Sequence, residues 1–215
     1  MAVIHHTTLT PTKVELLAAW LPSRPWYRST TAGPALARAG GFRLDDPEGE
    51  VGIEFMVVTD GSGDAAPAYL TPLTYRAAPL DGAEAGLIGT MEHGVLGKRW
   101  VYDGARDPVL VGQLLALLAG RAVAQAQSES DAPDPTVQVR TVADLPAALP
   151  QVTETTDATV LATAQGAPVT LSLARVLRPG PATGEDVRGQ VLARWSAPDG
   201  AEPRGAFAVL REGAR

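Results

Sequence analysis

The sequence predicts an α+β fold in which an antiparallel sheet packs on one long helix and is followed by a small β-rich unit. Three observations predict it. Between residues 36 and 102, short apolar and β-branched runs alternate with turn-forming residues. A leucine-rich segment with helical spacing follows at residues 108–127, and further short runs follow after residue 136. Short strands separated by turn signals are typical of an antiparallel meander, and the single strong helix supplies the second layer.

The composition bounds the kinds of function that the protein can have. The 215 residues carry a net charge of −6 and 45% apolar residues, which is typical of a globular chain. An acidic chain lacks the positive field that nucleic acid or an anionic membrane requires, so we expect neither as a partner. The absence of cysteine excludes disulfides, cysteine-bound zinc and thiol catalysis. We expect no cofactor and no metal.

No targeting segment is predicted. The first residues contain no basic stretch followed by an apolar run, and no run approaches 18 uncharged apolar residues. We therefore expect a cytoplasmic protein.

The first part of the chain is predicted to contain a strand, a helix and then a meander. Residues 2–9 are rich in β-branched types, and Thr12 with Glu15 forms a capping-box pattern that begins a helix. Asp46-Pro47-Glu48-Gly49-Glu50 has the composition of a hairpin turn between two strands. The meander strands are predicted at residues 36–44, 51–59, 69–76, 87–93 and 96–102.

The strongest helix prediction covers residues 108–127. Asp107 is a good N-cap, and Pro108 stands at the first helical position, where its missing N–H removes no hydrogen bond. An apolar stripe with helical spacing (Leu110, Leu114, Leu117 and Leu118) indicates burial against the sheet rather than a cofactor site.

A polar, acidic and proline-containing segment at residues 128–136 predicts a boundary between two parts, at 1–130 and 131–215. In the second part, two hairpins are predicted. One joins residues 159–164 to 169–178 through Gln165-Gly166, and the other joins 187–195 to 206–211. Four short strands have little core of their own, so we expect this unit to pack on the first part.

Several landmarks in residues 10–120 resemble the N-terminal cap of the actinobacterial maltokinases, enzymes that phosphorylate maltose with ATP. They are Trp20-Leu21-Pro22-Ser23-Arg24-Pro25-Trp26-Tyr27, Tyr69-Leu70-Thr71-Pro72-Leu73, and Val101-Tyr102-Asp103-Gly104-Ala105-Arg106-Asp107-Pro108 ahead of the leucine-rich helix. The resemblance implies a cystatin-like unit in which a curved antiparallel sheet packs on a helix. It also implies a stand-alone relative of that cap.

The second part resembles, more faintly, the kinase-like N-lobe that follows the cap in that family. Val169–Gly180 is similar to a strand that ends in Arg-x-Leu-x-Pro-Gly, and Ser172 occupies the position of the lysine that holds the ATP phosphates. A hydroxyl supplies no positive charge for phosphates, so we expect a degenerate N-lobe. The sequence ends at Arg215 without the family's catalytic lobe, so we do not expect an autonomous kinase.

Three residues are candidates for ligand binding: His93, Trp100 and Asp103. An imidazole beside a carboxylate suits metal or acid–base chemistry, and an exposed aromatic ring can stack on a sugar. His5 and His6 are adjacent on a predicted strand, so they face opposite sides and do not bind one metal together. For each candidate, structural packing is the competing interpretation.

The resemblance implies a non-catalytic accessory or binding protein linked to maltose, trehalose or α-glucan metabolism, with a protein partner from that metabolism. Two alternatives stay open. One is a binder of a sugar or sugar phosphate, or an unrecognised enzyme, that uses the concave face of the sheet. The other is a regulator that acts in trans on a separate kinase, which predicts an exposed apolar patch.

Overall fold

The structure is a computed structural model that describes residues 8–28, 33–61, 66–129, 132–143, 145–163 and 169–212. Within these residues the fold is α+β, with two antiparallel six-stranded sheets and two short α-helices. The first sheet contains β1 (Leu9–Thr10), β2 (Leu36–Leu44), β3 (Gly52–Asp60), β4 (Ala68–Arg76), β5 (Leu87–His93) and β6 (Gly97–Asp103). The helices are α1 (Lys13–Trp20) and α2 (Pro108–Leu118). Neither has the length and apolar character needed to span a bilayer.

The first sheet confirms the predicted meander. Its strands are ordered β1-β5-β6-β4-β3-β2, all neighbours run antiparallel, and the sheet curls into a half-barrel. The turn between β2 and β3 is held by Asp46, whose carboxylate accepts hydrogen bonds from the backbone N–H groups of Glu48, Glu50 and Val51. Residues 2–7 of the predicted first strand lie outside the described residues.

The capping box at the start of α1 is present as predicted. Thr12 accepts a hydrogen bond from the backbone N–H of Glu15, and the Glu15 carboxylate accepts one from the backbone N–H of Thr12. Two of the unpaired N–H groups at the helix start are thereby satisfied.

The prediction of a long helix over residues 108–127 is wrong, because α2 has only 11 residues and ends at Leu118. Gly120 follows the C-cap with φ +70°, a conformation that side chains rarely adopt. The N–H of Gly120 binds the carbonyl of Leu117, and the N–H of Arg121 binds the carbonyl of Ala116. These two bonds form a Schellman motif, which ends the helix.

The second sheet has six strands where four are predicted. It contains β7 (Gln138–Arg140), β8 (Gln151–Glu154), β9 (Ala158–Ala162), β10 (Val169–Ala174), β11 (Val187–Arg194) and β12 (Arg204–Glu212), ordered β7-β11-β12-β10-β9-β8. The four predicted strands are β9 to β12, and the two edge strands are additional. The predicted turn at Gln165-Gly166 lies outside the described residues.

One hydrophobic core joins the two sheets. Phe42 and Phe55 of the first sheet stack at a centroid distance of 4.6 Å, and Phe207 of the second sheet lies 6.0 Å from Phe42. The leucine stripe of α2 belongs to the same core, which confirms its predicted burial. The two sheets fall on either side of the predicted boundary at residue 130, and the division into domains 1–130 and 131–215 stays a prediction.

The opposite face of the first sheet carries a second core. Leu17 and Trp20 of α1, Leu21, and Trp26 pack there against side chains of β3 and β4 such as Met56. Trp20 and Trp26 meet edge to face at 5.7 Å. The first sheet is therefore covered on both faces.

The chain segment after β10 completes the first sheet. β6 pairs with β4 only from Leu73 to Arg76, which leaves the Ala68–Leu70 end of β4 without a neighbour on that side. The segment 175–177 takes this place: the N–H of Leu70 binds the carbonyl of Arg175, and the N–H of Leu177 binds the carbonyl of Ala68. The second sheet is thus hydrogen-bonded to the first by backbone as well as packed on it.

A buried ion pair lies at this junction. Nη2 of Arg175 is 2.6 Å from both carboxylate oxygens of Asp103, and Nε of Arg175 donates to the hydroxyl of Thr159 at 2.7 Å. The guanidinium also lies over the ring of Trp26, 5.1 Å from its centroid. Both charged side chains are almost fully buried, so each depends on the other for compensation of its charge.

We expect Arg175→Met to lower the free energy of unfolding by about 3–5 kcal/mol, because it leaves the Asp103 carboxylate buried without its cation. The double variant Arg175→Met/Asp103→Leu should recover a large part of this loss, since no unpaired charge remains. Urea unfolding at pH 7, followed by circular dichroism, measures both values.

Arg211→Met is the matched control, because its ion pair with Asp186 is solvent-exposed and should contribute less than about 1 kcal/mol. If Arg175→Met costs no more than Arg211→Met, the buried pair does not hold the junction.

Candidate functional site

The second sheet carries a groove that is formed by described residues, and we call it the outer groove. Leu171 and Leu173 of β10 point into the shared core, so Ser172 and Ala174 between and after them face the other side of the sheet. Their cross-strand partners Val209 and Ala158 extend the same face, together with Ala206. These side chains form a floor of small residues under a cavity of about 340 Å³.

One loop and two charged side chains line the groove. Residues 178–182, Arg-Pro-Gly-Pro-Ala, form one wall, and Asp157, which precedes β9, also lines the groove. The side chains of Arg178 and Asp157 are both exposed, and they do not form an ion pair with each other. Sequence analysis named only Ser172 here. The Pro-Gly-Pro sequence directly after a strand was the available signal for the wall.

His93 stands at the end of β5, where it supports a hairpin turn. Its Nδ1 atom accepts hydrogen bonds from the backbone N–H groups of Val95 and Leu96, at 3.3 and 3.1 Å. The N–H of Gly94 binds the carbonyl of Thr8. The side chains of Val95 and Leu96 are 61% and 46% exposed, and we call this pair the hairpin tip.

The structure does not bring the three candidate residues together. His93 pairs with Gly97 at one end of β6, Trp100 lies in the middle, and Asp103 lies at the other end. At about 3.3 Å per residue, His93 and Asp103 are roughly 20 Å apart, and Trp100 faces the other side of the strand from Asp103. Asp103 forms the ion pair with Arg175, and Lys98 lies over the Trp100 ring at 5.0 Å. A ligand role for any of them stays a prediction.

The buried carboxylates of the described residues all hold the fold together. Asp46, Asp103 and Asp107 accept backbone N–H groups of the turns or the helix that follow them. Asp60 accepts the hydroxyl of Tyr27 and the N–H of Ala35, which ties the segment before β2 to the end of β3.

Asp107 fastens α2 to the first sheet. Besides capping the helix, it binds Arg76 through both oxygens and accepts the hydroxyl of Thr74. Burial raises the pKa of Asp107, but the hydrogen bonds from Arg76, Thr74 and the N–H of Val109 outweigh it, so the pKa lies below its ordinary value.

The second large polar cluster surrounds Glu54 on β3. Its carboxylate accepts hydrogen bonds from Nζ of Lys13 at 2.5 Å, from the hydroxyl of Tyr75 at 2.6 Å and from the side-chain amide of Gln127 at 2.9 Å. Arg38 lies 3.7 Å away but is about half exposed. The cluster joins α1, strands β3 and β4, and the segment after α2.

The charges of this cluster shift its pKa values. Burial raises the pKa of Glu54. The charge and hydrogen bond of Lys13, together with the hydrogen bond from the hydroxyl of Tyr75, lower it by more, so the pKa lies below its ordinary value. Burial, and then the negative charge of Glu54, raise the pKa of Tyr75 well above its ordinary value. Tyr75 is therefore a donor to an ionised Glu54 at neutral pH.

The described residues contain no group of three or more His, Asp or Glu side chains placed to hold a metal ion. His5 and His6 lie outside the described residues.

Comparison with known families identifies the first sheet. Residues 20–107 match the family model described as the maltokinase N-terminal cap domain. The matched range begins at the last residue of α1, contains β2 to β6, and ends at the N-cap of α2. Among curated proteins, none matches the sequence. The outer groove, at residues 157–209, lies outside the matched range.

We expect Glu54→Gln to lower the free energy of unfolding at pH 7 by about 1–3 kcal/mol, because Lys13 loses a largely buried partner. The folded protein holds the pKa of Glu54 below the ordinary value of 4.5, which the unfolded chain retains. The ionised carboxylate therefore stabilises the fold above about pH 4.5, and this stabilisation is lost as the pH falls through the folded pKa. The difference between wild type and variant should shrink between pH 5 and pH 3.

Urea unfolding at pH 7, 5, 4 and 3 provides the measurement. Asp81→Asn, at an exposed position, serves as the control and should follow the wild-type curve. A difference between wild type and Glu54→Gln that stays constant down to pH 3 would contradict the assignment.

Proposed function

From the maltokinase cap-like domain at residues 20–107, we propose that this protein is a non-catalytic accessory protein that acts through protein contacts. The observation that carries the proposal is the use of the buried carboxylates. Asp46, Glu54, Asp60, Asp103 and Asp107 each accept hydrogen bonds that secure a turn, a helix or the junction between the sheets. Carboxylates committed in this way do not serve as a catalytic base or as magnesium ligands.

We also propose that the second sheet is a degenerate kinase N-lobe that does not bind ATP. Support comes from the resemblance of Val169–Gly180 to the N-lobe strand and from the place of Ser172 in the floor of the outer groove. A lysine there would supply a cation for phosphates, whereas a hydroxyl does not. Among the described residues that line the groove, Arg178 is the cation and Asp157 is the anion.

The partner and the pathway follow from the resemblance. We propose a cytoplasmic role in maltose, trehalose or α-glucan metabolism, with an enzyme of that metabolism as the partner. The alternative of a sugar bound on a face of the first sheet has less room, because one face packs on the leucine stripe of α2 and the other on α1 and Trp26.

A regulator of a separate kinase chain is the second candidate function. It predicts an exposed apolar patch, and the hairpin tip provides two adjacent aliphatic side chains. The tip is held in shape by hydrogen bonds from its amides to His93 and from Gly94 to Thr8. A preformed apolar contact loses little conformational entropy on binding.

We expect Mg-ATP to leave the melting temperature of the wild-type protein unchanged, and Ser172→Lys to introduce a measurable rise. Saturation of a site at 100 times its dissociation constant adds about 2.7 kcal/mol, which corresponds to about 5–10 °C for a chain of this size. Thermal-shift measurements with Mg-ATP, maltose and trehalose test this. A rise of several degrees for the wild type with Mg-ATP would overturn the proposal, and a rise with either sugar would favour a sugar binder.

Affinity purification from the host should recover an enzyme of α-glucan or trehalose metabolism with the wild-type protein as bait. Val95→Ser/Leu96→Ser should lose that enzyme, because the tip no longer offers apolar surface. Val123→Ser is the matched control, since Val123 is 60% exposed on a different segment, and it should retain the enzyme.

The identity of the recovered protein separates the two candidates. A sugar kinase points to the trans-acting regulator, and another enzyme points to a general accessory role. Recovery of no glycan-pathway enzyme by any bait would contradict both.

A further inference from the structure

The outer groove offers two opposite charges that do not neutralise each other. Arg178 and Asp157 both line it and are exposed, and within the described residues the side chain of Arg178 takes part in no ion pair. Asp157 accepts one long hydrogen bond, 3.4 Å from the hydroxyl of Thr155. A ligand can therefore meet a free cation at one side and a nearly free anion at the other.

The floor between these charges is aliphatic. Ala158, Ala174, Ala206 and Val209 cover it, and Ser172 supplies its one hydroxyl. A sugar would place most of its hydroxyl groups against side chains that cannot hydrogen-bond with them, which carries a free-energy cost. A polyanion such as a nucleotide would meet one cation and be repelled by Asp157. The lining favours a ligand of zero net charge with an apolar body.

Backbone contacts place the two charged residues on adjacent segments. The carbonyl of Asp157 accepts the N–H groups of Arg175 and Val176, so this residue lies directly against the end of β10. Arg178 follows Val176 by two residues, which is at most about 7 Å of extended chain. The free ammonium and carboxylate of a dipeptide are separated by at most about 7 Å of extended chain, so a ligand of this size can meet charges carried on adjacent segments.

We propose that the outer groove binds a short peptide with free ends, of dipeptide size and with apolar side chains. Its carboxylate pairs with the guanidinium of Arg178, its ammonium pairs with Asp157, and its side chains cover Ala174 and Ala206. A cavity of about 340 Å³ lies in the range of small-ligand sites. Because both charges are exposed, each pair strengthens binding only about two- to fivefold.

The test is a nuclear magnetic resonance titration of the ¹⁵N-labelled full chain with alanyl-leucine up to millimolar concentrations. The amide signals of Ser172, Ala174, Gly180 and Ala206 should shift in a saturable manner. Acetyl-alanyl-leucine amide, which lacks both end charges, should bind at least fourfold more weakly. Arg178→Gln and Asp157→Asn should each weaken the binding of alanyl-leucine about two- to fivefold.

Ala174→Leu fills the floor and should abolish the shifts. Arg99→Gln and Asp81→Asn, which change a cation and an anion away from the groove, should leave the titration unchanged. The dispersion of the amide signals shows whether each variant is folded. If Ala174→Leu is unfolded, the test rests on Arg178→Gln and Asp157→Asn.

Three outcomes would overturn the proposal: no saturable shift with alanyl-leucine, equal binding of the blocked peptide, or equal binding by all charge variants. Groove shifts with maltose or Mg-ATP, in the absence of shifts with the dipeptide, would assign the groove to a different ligand class. Because the titration involves no partner protein, its failure leaves the affinity-purification result to stand or fall separately.

Discussion

The buried ion pair between Asp103 and Arg175 connects every layer of the molecule. Asp103 is the last residue of β6, where the chain leaves the sheet for α2, and Arg175 begins the segment that continues beside β4. β6 and the segment 175–177 therefore follow one another along the same side of β4. The two side chains meet where one segment ends and the other begins. Burying either charge without its partner carries a large free-energy cost. This arrangement of segments beside β4 therefore forms only when both parts of the chain are in place.

The same segment belongs to both hydrophobic cores. Leu173 and Leu177 pack into the core between the sheets, whereas Val176 packs into the core under Trp26 and Tyr69. Arg175 lies between them, with its guanidinium over the Trp26 ring and its Nη1 atom without a hydrogen-bond partner among the described residues. The cation–π contact partly offsets that loss. A shift of this segment would open both cores together, which couples the two sheets mechanically.

Local patterns predicted the strands that carry alternating apolar residues and the turn at Asp46, because these depend on neighbours a few residues away. The helix length was wrong because Gly120 was not taken as a stop signal, although a glycine at the end of an apolar stripe is typical of a Schellman motif. The short strands β7 and β8 were not predicted, since their residues form strands only through pairing with β11 and β9.

The candidate sites were harder to predict from the sequence than the strands and helices. Asp103 was a ligand candidate because its cation partner, Arg175, lies 72 residues away, whereas its local role, accepting the N–H of Ala105, does not account for a buried charge. The outer groove was equally hidden, because it depends on the register that places Ala158 opposite Ala174 and Val209 opposite Ser172. Pairing between distant segments decides both cases, and a single sequence does not reveal it.

Polar groups have different surroundings in the cap-like sheet and in the outer groove. Within the family-matched range, the buried carboxylates are occupied by turns, caps and the junction, so replacing one of them disturbs the fold. In the outer groove, the floor residues Ser172 and Ala174 alternate along β10 with Leu171 and Leu173, which are buried in the shared core. Because of this alternation, a substitution at Ser172 changes the groove floor and leaves the packing of the core residues unchanged, whereas Ala174 also packs against the core. The second sheet can thus acquire or lose a ligand while the cap-like sheet stays fixed.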